Sequence, residues 1–297
     1  MWDVEVDVAC VGAGASTIAS AVATKDMGAS VLLATPTAEP RVDRSGVAVR
    51  QRIGGFLGSW VRPDMDEETD RYLTALAEDY WSPSGFSGDS RLTVRTVTAT
   101  PSGAAPEPFI GSRLGAWNAT CLASPYGMLF SSVSGWRTAR MRAEDGQSLE
   151  VMRVGGVSAS DVAAGFDVGG WLRSRAADRG LTAHRFTDLE RIVFDEGRLI
   201  GIELRTSDGV MAVRIRHGLA LSSGEPMIEV LRTVDATAKD LQLSIVGQAA
   251  SRFLRIELLG TALPERSLCS ASGRGLRQAL RDPRPLPSVT GRCGKVR

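Results

Sequence analysis

One stretch near the amino terminus constrains the fold of this 297-residue chain more than any other. A first strand, predicted over Val6–Val11, runs into the turn Gly12–Gly14, and a helix of mostly small residues is predicted for Ala15–Met27. The apolar run Val31–Leu33 predicts a second strand, which Pro36 ends. A strand, a Gly-x-Gly turn, a helix and a strand in this order predict the first βαβ unit of a dinucleotide-binding domain. In such a unit the helix N-terminus receives a diphosphate.

Two positions depart from the usual fingerprint of such a unit. The third glycine is replaced by Thr17, and the acidic residue expected at the end of the second strand is replaced by Ala34 and Thr35. We therefore predict an α/β, Rossmann-like FAD/NAD(P)-binding fold with a parallel sheet and helices. The turn has two interpretations that the sequence leaves open. It either binds a phosphate or is retained by a fold that has lost its ligand.

The composition excludes several classes of function. A formal net charge of +1 gives no electrostatic basis for binding nucleic acid or an anionic membrane. The four cysteines form no C-x-x-C pair and the only histidines are His184 and His217, so we expect no zinc site or histidine-rich metal centre. The apolar runs fall short of the roughly 20 residues that a transmembrane helix needs. The amino terminus lacks a basic region followed by an apolar one, so we expect a cytoplasmic protein without a signal peptide.

The chain divides into segments of different pattern. The first holds the βαβ unit, and the second is an insert with a helix and an irregular apolar stretch. The third holds the remainder of the dinucleotide-binding domain with an antiparallel meander. The fourth is a basic tail that we expect to be poorly ordered and solvated. Their predicted ranges are 1–62, 63–160, 161–260 and 261–297.

The insert contains a helix predicted over Asp66–Tyr80 and a strand predicted over Leu92–Thr98. Gly and Pro interrupt the apolar stretch Phe109–Val133, which we predict to be packed loop and short strand and not a long helix. Its large side chains predict an exposed apolar patch, through which the chain self-associates or binds a partner subunit. The patch residues are Phe109, Leu114, Trp117, Tyr126 and Phe130.

The second half of the chain reads mainly as strands. Two turns with hairpin chemistry predict a three-stranded antiparallel meander over Leu189–Arg216. A helix over Gly170–Arg179 and a strand over Thr182–Phe186 precede it, and a short buried strand, Leu219–Leu221, follows it. We expect the strands over Thr182–Phe186 and Leu219–Leu221 to lie in one parallel sheet with the first two strands, and the meander to pack on one side of that sheet. Two further strands are predicted over Leu241–Val246 and Arg252–Leu259.

The order of these parts resembles the flavoprotein family of fumarate reductases, succinate dehydrogenases and 3-ketosteroid dehydrogenases. Val8–Leu33 is similar to the first unit of that family, and Arg191–Glu203 is similar to its meander. Trp171–His184 is similar to the helix before the adenine-side strand, and Leu219–Glu225 stands where the family has an Ala-Thr-Gly-Gly turn. The resemblance implies a short, degenerate member that binds FAD.

The resemblance also implies a set of cofactor-binding residues. The family uses a Glu at the end of the second strand to accept both ribose hydroxyls, and this chain has no carboxylate at the corresponding position. The catalytic Arg and Tyr motifs of the family have no match, so catalytic residues are not assigned. The cofactor-binding residues predicted from the fingerprint and the resemblance are Gly12, Gly14, Ala15, Ser16, Ala34, Thr35, Ser45, Gly46, Leu189, Ser222, Ser223 and Gly224. Plain turns without a function are the simpler interpretation of Ser45–Gly46 and Ser222–Gly224.

Other residues permit weaker hypotheses. Arg41 and Arg44 follow the second strand and permit NADP in place of FAD, although solvated loop arginines are the simpler interpretation. Tyr126 is a candidate general acid at a flavin face, or a side chain that packs over a loop. Arg113 and Arg137 are candidates for binding a carboxylate substrate, although surface positions are the simpler interpretation. The chain is therefore interpreted as the cofactor-binding part of an FAD-dependent dehydrogenase or reductase. The alternative is a non-catalytic interaction or assembly subunit that kept the fold and lost the cofactor.

Overall fold

The computed structural model describes residues 1–37, 65–78, 92–100, 111–131, 138–163, 165–222 and 241–261, which form a mixed α/β structure rich in strands. The helices are α1 (Ala15–Asp26), α2 (Glu67–Glu78), α3 (Gly111–Ala123), α4 (Ala159–Ala163) and α5 (Val168–Asp178). The strands are β1 (Val4–Val11), β2 (Val31–Pro36), β3 (Val94–Ala99), β4 (Gly127–Phe130), β5 (Ala139–Ala143), β6 (Ser148–Val157), β7 (Ala183–Phe186), β8 (Asp188–Asp195), β9 (Arg198–Thr206), β10 (Gly209–Ser222), β11 (Leu241–Gly247) and β12 (Phe253–Thr261).

Four neighbouring strands run parallel, in the order β10-β1-β2-β7. At their carboxyl ends, Val11 pairs with Ala34 on β2 and with Leu221 on β10. Helix α1 follows β1 and packs close to these strands because its buried positions are small residues, including Ala15 and Ala19. The strands predicted for the βαβ unit therefore form, and they pair in the expected direction.

The two faces of this sheet bury separate hydrophobic clusters. Ala9 and Val11 belong to one cluster, whereas Val8 and Cys10 belong to the other. Successive side chains of a strand point to opposite faces, so the two clusters lie on opposite sides of β1. Helices α1 and α5 contribute to the second cluster, and the meander strands β8 and β9 contribute to the first. The meander strands β8 and β9 thus lie on one side of the sheet, as expected, whereas the last meander strand, β10, belongs to the sheet itself.

The last meander strand differs from the prediction in one respect. The sequence predicts a meander strand ending at Arg216 and a separate strand over Leu219–Leu221, but both belong to the single strand β10. Val6 pairs with Ile215 and Val8 pairs with Gly218, so β10 carries one extra residue between these pairs. This bulge lets one strand continue from the meander into the parallel region without a loop.

Five further strands close on themselves in the order β11-β6-β5-β3-β12, with β12 pairing back to β11. Strand β4 pairs with both β10 and β12, and it thereby joins this barrel to the parallel strands. The barrel combines strands from the predicted insert with the two strands predicted after the meander. The segment boundaries given above remain predictions, and the 261–297 tail beyond Thr261 lies outside the described residues.

The apolar stretch after Phe109 contains a short strand, β4, as predicted, but it also contains a helix where the prediction has packed loop. Residues Gly111–Ala123 form helix α3, which buries Trp117, Asn118 and Cys121. The indole Nε1–H of Trp117 donates a hydrogen bond to the carbonyl oxygen of Phe253 at 2.9 Å. A glycine inside a helix costs about 1 kcal/mol, whereas burying a large apolar side chain stabilises by about 1.5–3 kcal/mol. Tertiary packing therefore outweighs the glycines that indicated a loop.

The prediction that these apolar side chains form an exposed patch is also wrong. Trp117 is 4% exposed, and Tyr126 and Phe130 are each 3% exposed. Leu114 is half-buried, and Phe109 lies outside the described residues. Trp117 packs in one of the two hydrophobic clusters, and Tyr126 and Phe130 pack in the other, so these aromatic side chains do not face solvent. No helix in the described part of the chain has the length and apolar character needed to cross a bilayer.

Candidate functional site

The Gly-x-Gly turn (Gly12–Gly14) joins β1 to α1 at the carboxyl end of the parallel strands. Gly12 has a φ of +142°, a conformation that residues with a Cβ rarely adopt. A Cβ at this position would also clash with the side-chain oxygen of Ser222. The Gly12 N–H donates to the carbonyl oxygen of Ala34 at 3.1 Å, which ties the turn to the end of β2. Glycine is thus required here by both backbone conformation and space.

Gly14 is the N-cap residue of α1, and it has no side chain to satisfy the first amides of the helix. Its own N–H donates to the Oγ of Ser222 at 3.2 Å. Ser222 is the last residue of β10, directly after the pair that Leu221 forms with Val11. The structure therefore brings together three of the residues implied by the family resemblance: Gly12, Gly14 and Ser222.

Thr17 contributes a contact that sequence reasoning missed. Its hydroxyl forms a hydrogen bond with the hydroxyl of Ser222, and the two residues are 2% and 1% exposed. From the fingerprint alone, Thr17 is merely a bulky replacement for a glycine. In the structure it forms with Ser222 a buried polar pair that links α1 to β10, which we call the hydroxyl pair. Its only sequence signal is a threonine at the position of the third fingerprint glycine.

Ala15 and Ser16 are the first residues of α1, and their side chains are not available to a ligand. Ala15 is fully buried, and the hydroxyl of Ser16 donates to the carbonyl oxygen of Gly127 at 2.9 Å. One turn further along α1, the hydroxyl of Ser20 donates to the carbonyl oxygen of Ser16 at 2.7 Å. The hydroxyls of Ser16 and Ser20 are thus engaged within the protein, so a ligand at the turn would meet backbone amides.

The end of β2 carries no carboxylate. Ala34 is fully buried, and the Thr35 hydroxyl accepts a hydrogen bond from Arg185 at 3.3 Å. Arg185 lies on β7, where it pairs with Thr35, and it also donates to the carbonyl oxygen of Pro36 at 3.2 Å. A cation therefore stands where the family has an acidic residue. The sequence showed the missing acid but not this arginine, because β7 is far from β2 along the chain.

The remaining predicted site residues are not gathered at the turn. Leu189 lies on β8 opposite Leu204, and its side chain is fully buried in the cluster on the meander side of the sheet. Tyr126, the candidate general acid, is also buried, whereas Arg113 on α3 is exposed. The other candidates fall outside the described residues: Ser45, Gly46, Ser223, Gly224, Arg41, Arg44 and Arg137.

The histidines and cysteines do not form a reactive centre within the described residues, where no group of three or more His, Cys, Asp or Glu side chains could hold a metal. Burial raises the pKa of the Cys10 thiol far above its usual range, and burial likewise raises the pKa of the Cys121 thiol. His217 lies 3.7 Å from the carboxylate of Asp7 at the surface. Neutral, buried thiols are weak nucleophiles, so these cysteines serve packing.

A second polar cluster, also missed by the sequence, lies where the barrel meets α3. The carboxylate of Glu257 is fully buried between two arginines, with Arg255 Nε at 2.6 Å from Oε1 and Arg95 Nε at 3.0 Å from Oε2. The guanidinium of Arg255 also lies over the Trp117 ring, 5.1 Å from its centre. Buried charges are tolerated when they are paired in this way, so we interpret the cluster as structural.

No protein-family model matches this chain, and no curated protein matches it. Among solved structures, it is similar to a 3-ketosteroid-Δ4-(5α)-dehydrogenase from Rhodococcus jostii RHA1, with 18% identity, a TM-score of 0.27, and coverage of 74% of this chain and 46% of that one. It is also similar to a flavocytochrome c3 fumarate reductase, with 13% identity, a TM-score of 0.28, and coverage of 72% and 33%.

A third similar structure is a geranylgeranyl bacteriochlorophyll reductase-like protein from Thermoplasma acidophilum. It shows 12% identity and a TM-score of 0.24, and the match covers 71% of this chain and 38% of that one. The chain thus spans less than half of the length of each of these three proteins. Likeness at this level does not establish a shared fold or activity, so the function below is argued from the site itself.

Proposed function

We propose that this chain is an FAD-binding-domain-like protein of the oxidoreductase class, with the cofactor diphosphate at the Gly-x-Gly turn. The observation that carries the proposal is the position of that turn in the strand order β10-β1-β2-β7. Strands β2 and β7 lie on one side of β1 and β10 lies on the other, so the carboxyl ends of β1 and β10 flank a point where the strand order reverses. Open α/β sheets bind their ligands at such points.

The turn supplies backbone groups suited to a diphosphate. Gly12 allows the tight turn, and the amides at the start of α1 lie at the positive end of the helix dipole. Bound FAD would supply hydride and electron transfer at its flavin ring. The described residues provide no assigned catalytic group, so we place this chain as the cofactor-binding part of an enzyme. A second copy or a partner subunit would complete the substrate site.

The ribose position fits FAD less well. The side chain of Ala34 has no hydrogen-bond acceptor for a ribose hydroxyl. Thr35 offers one hydroxyl, which already accepts a hydrogen bond from Arg185. Losing a charged hydrogen bond costs about 1.5–3 kcal/mol, or about 10- to 100-fold in affinity. We therefore expect weak binding of FAD by the wild-type chain. The NADP hypothesis was based on Arg41 and Arg44, and both lie outside the described residues.

One observation favours the second candidate function, a non-catalytic interaction or assembly subunit. The Gly14 N–H is already bonded to Ser222, and the side chains of residues 15–17 are buried. A fold that keeps the turn for architecture alone would have these properties. Under this alternative the protein contains no flavin after purification, and it is recovered as a homo-oligomer or with a partner protein.

The test is FAD binding by the purified protein, followed by its visible spectrum and by quenching of flavin fluorescence. We expect weak binding by the wild type and none by Gly12→Ala, because the new Cβ meets Ser222. Gly146→Ala is the matched control, since Gly146 also has a positive φ (+81°) but stands in a turn where a Cβ meets nothing within 4 Å. Circular dichroism checks that both variants are folded.

A variant that is expected to bind FAD more tightly gives a second test of the proposed FAD site. Thr35→Glu places a carboxylate at the half-exposed end of β2, where Arg185 can also pair with it. We expect FAD affinity to rise by about 10-fold, as for a restored charged hydrogen bond. Ala34→Glu is the poorer choice because Ala34 is fully buried. If neither the wild type nor Thr35→Glu binds FAD at up to millimolar concentration, the FAD proposal is rejected and the non-catalytic alternative stands.

A further inference from the structure

The hydroxyl pair, Thr17 and Ser222, lies where α1 begins. Ser222 Oγ accepts the hydrogen bond of the Gly14 N–H at 3.2 Å and forms a second hydrogen bond with Thr17 Oγ1. The carboxyl end of β10 is thereby tied to the first turn of α1. Because both residues are almost completely buried, neither hydrogen bond competes with bulk water.

The Gly14 N–H is also a donor that the diphosphate of a dinucleotide would use. Backbone amides at a helix N-terminus bind anions because they lack partners inside the helix. In this chain a neutral hydroxyl of the protein has taken one of those amides. A diphosphate oxygen can bind Gly14 only after Ser222 Oγ has been displaced.

The space beside the turn is filled by the same atoms. A Cβ at Gly12 would clash with Ser222 Oγ, and it would lie 3.0 Å from both Ser222 O and Thr17 Oγ1. The side chains of the hydroxyl pair therefore lie directly against the backbone of Gly12. Entry of an anion requires that the Ser222 side chain rotate or that the end of β10 move.

On the basis of the proposed function, we propose that the hydroxyl pair is a latch that closes the diphosphate subsite and sets its affinity for dinucleotides. With the latch closed, α1 and β10 are held together and the Gly14 amide is occupied. With the latch open, that amide is available to a diphosphate. Thr17 and Ser222 thus determine affinity by what they block and make no favourable contact with the ligand.

The latch is tested with Ser222→Ala and Thr17→Ala, each of which removes one hydroxyl. Ligand binding is measured with two probes, FAD and inorganic pyrophosphate, by isothermal titration calorimetry. Ser222→Ala frees the Gly14 amide, so we expect affinity for both probes to rise by about 10-fold, the effect of exchanging a neutral hydrogen bond for a charge-assisted one. Thr17→Ala loosens Ser222 without removing it, and we expect a smaller rise in the same direction.

Ser20→Ala is the matched control. Ser20 is a fully buried hydroxyl on the same helix, bonded to the Ser16 carbonyl oxygen and to Met128 Sδ at 3.3 Å, away from the turn. Its removal should lower stability without changing affinity for either probe. Hydrogen exchange of the Gly14 amide gives a readout that needs no ligand. We expect this amide to be protected in the wild type and to exchange at least 10-fold faster in Ser222→Ala.

The outcomes separate the latch from the proposed function. If Thr35→Glu binds FAD but Ser222→Ala and Thr17→Ala bind both probes within 2-fold of the wild type, the latch is rejected and the proposed function survives. If Ser222→Ala gains affinity for pyrophosphate but not for FAD, the latch is supported and the FAD assignment fails. If no variant binds either probe, or if Gly14 exchange is unchanged in Ser222→Ala, the latch is overturned.

Discussion

Replacing Trp117 with alanine distinguishes a core residue from an interface residue. The apolar pattern of the sequence predicts that Trp117 lies in an exposed patch and contributes to assembly. In the structure its side chain is 4% exposed, its Nε1–H donates to Phe253 O at 2.9 Å, and the Arg255 guanidinium lies over its ring. We therefore expect Trp117→Ala to destabilise the fold itself.

The size of the loss follows from what the indole contacts. Truncation of a buried Trp to Ala costs about 3–5 kcal/mol, and a cation–π contact contributes about 0.5–2 kcal/mol. The carbonyl oxygen of Phe253 is not left without a partner, because Ser251 Oγ also donates to it at 3.0 Å. We expect a total of about 4 kcal/mol, which for a domain of this size lowers the melting temperature by about 8–16 °C.

The assay is urea denaturation followed by circular dichroism, with light scattering on the same samples. Trp171→Ala is the matched control: Trp171 is only half-buried and also lies beside an arginine, Arg175, so its loss should be clearly smaller. The reasoning is refuted if Trp117→Ala unfolds within 1 kcal/mol of the wild type while its oligomeric state changes. That result would restore the interface interpretation.

Two further substitutions test the electrostatics. Glu257→Gln leaves Arg255 and Arg95 without the buried carboxylate that they share, and it should lower the free energy of unfolding by about 3–5 kcal/mol. The control Glu67→Gln, in the exposed pair with Arg71, should lower it by only about 0–1 kcal/mol. Equal losses for the two variants in urea denaturation would contradict this prediction. Asp7 is the second case. Burial raises its pKa, but hydrogen bonds from Ser30, the electrostatic effect of His217 and a hydrogen bond from Arg216 together hold that pKa below its ordinary value. A carboxylate whose pKa is lower in the folded state stabilises the native state at pH values above its unfolded pKa of about 3.9. The wild type should therefore be more stable than Asp7→Asn near neutral pH, and this difference in stability should vanish as the pH falls below that value. A difference in stability that does not change with pH would contradict the prediction.

The parts of the site that sequence reasoning recovered are those encoded by local chemistry. The turn at Gly12 and Gly14 is recognisable because a backbone with positive φ requires glycine and because an apolar strand precedes it. The hairpin turns of the meander carry their signal in two or three adjacent residues, such as Glu196 and Gly197, both at positive φ. The cofactor-binding assignment of these residues remains a prediction.

The parts that sequence reasoning missed depend on partners far away in the chain. The sequence predicts a loop where helix α3 forms, because the glycines of this segment are visible locally, whereas the contact of Trp117 with Phe253 spans 136 positions. The continuity of β10 depends on a bulge opposite β1, which no turn residue marks. The Arg95–Glu257 pair exists only because β3 and β12 are neighbours in the barrel.

By itself, the sequence determined the strand–turn–helix–strand unit, the hairpins and the absence of an acidic residue at the end of β2, since each depends on residue type and short-range spacing. Only the tertiary structure decided what surrounds the turn. Thr17 and Ser222 are 205 positions apart, and their hydroxyls meet because β10 pairs in parallel with β1 and ends beside the start of α1. Parallel pairing brings distant segments to one edge of a sheet, and no local pattern in either segment encodes which side chains will meet there.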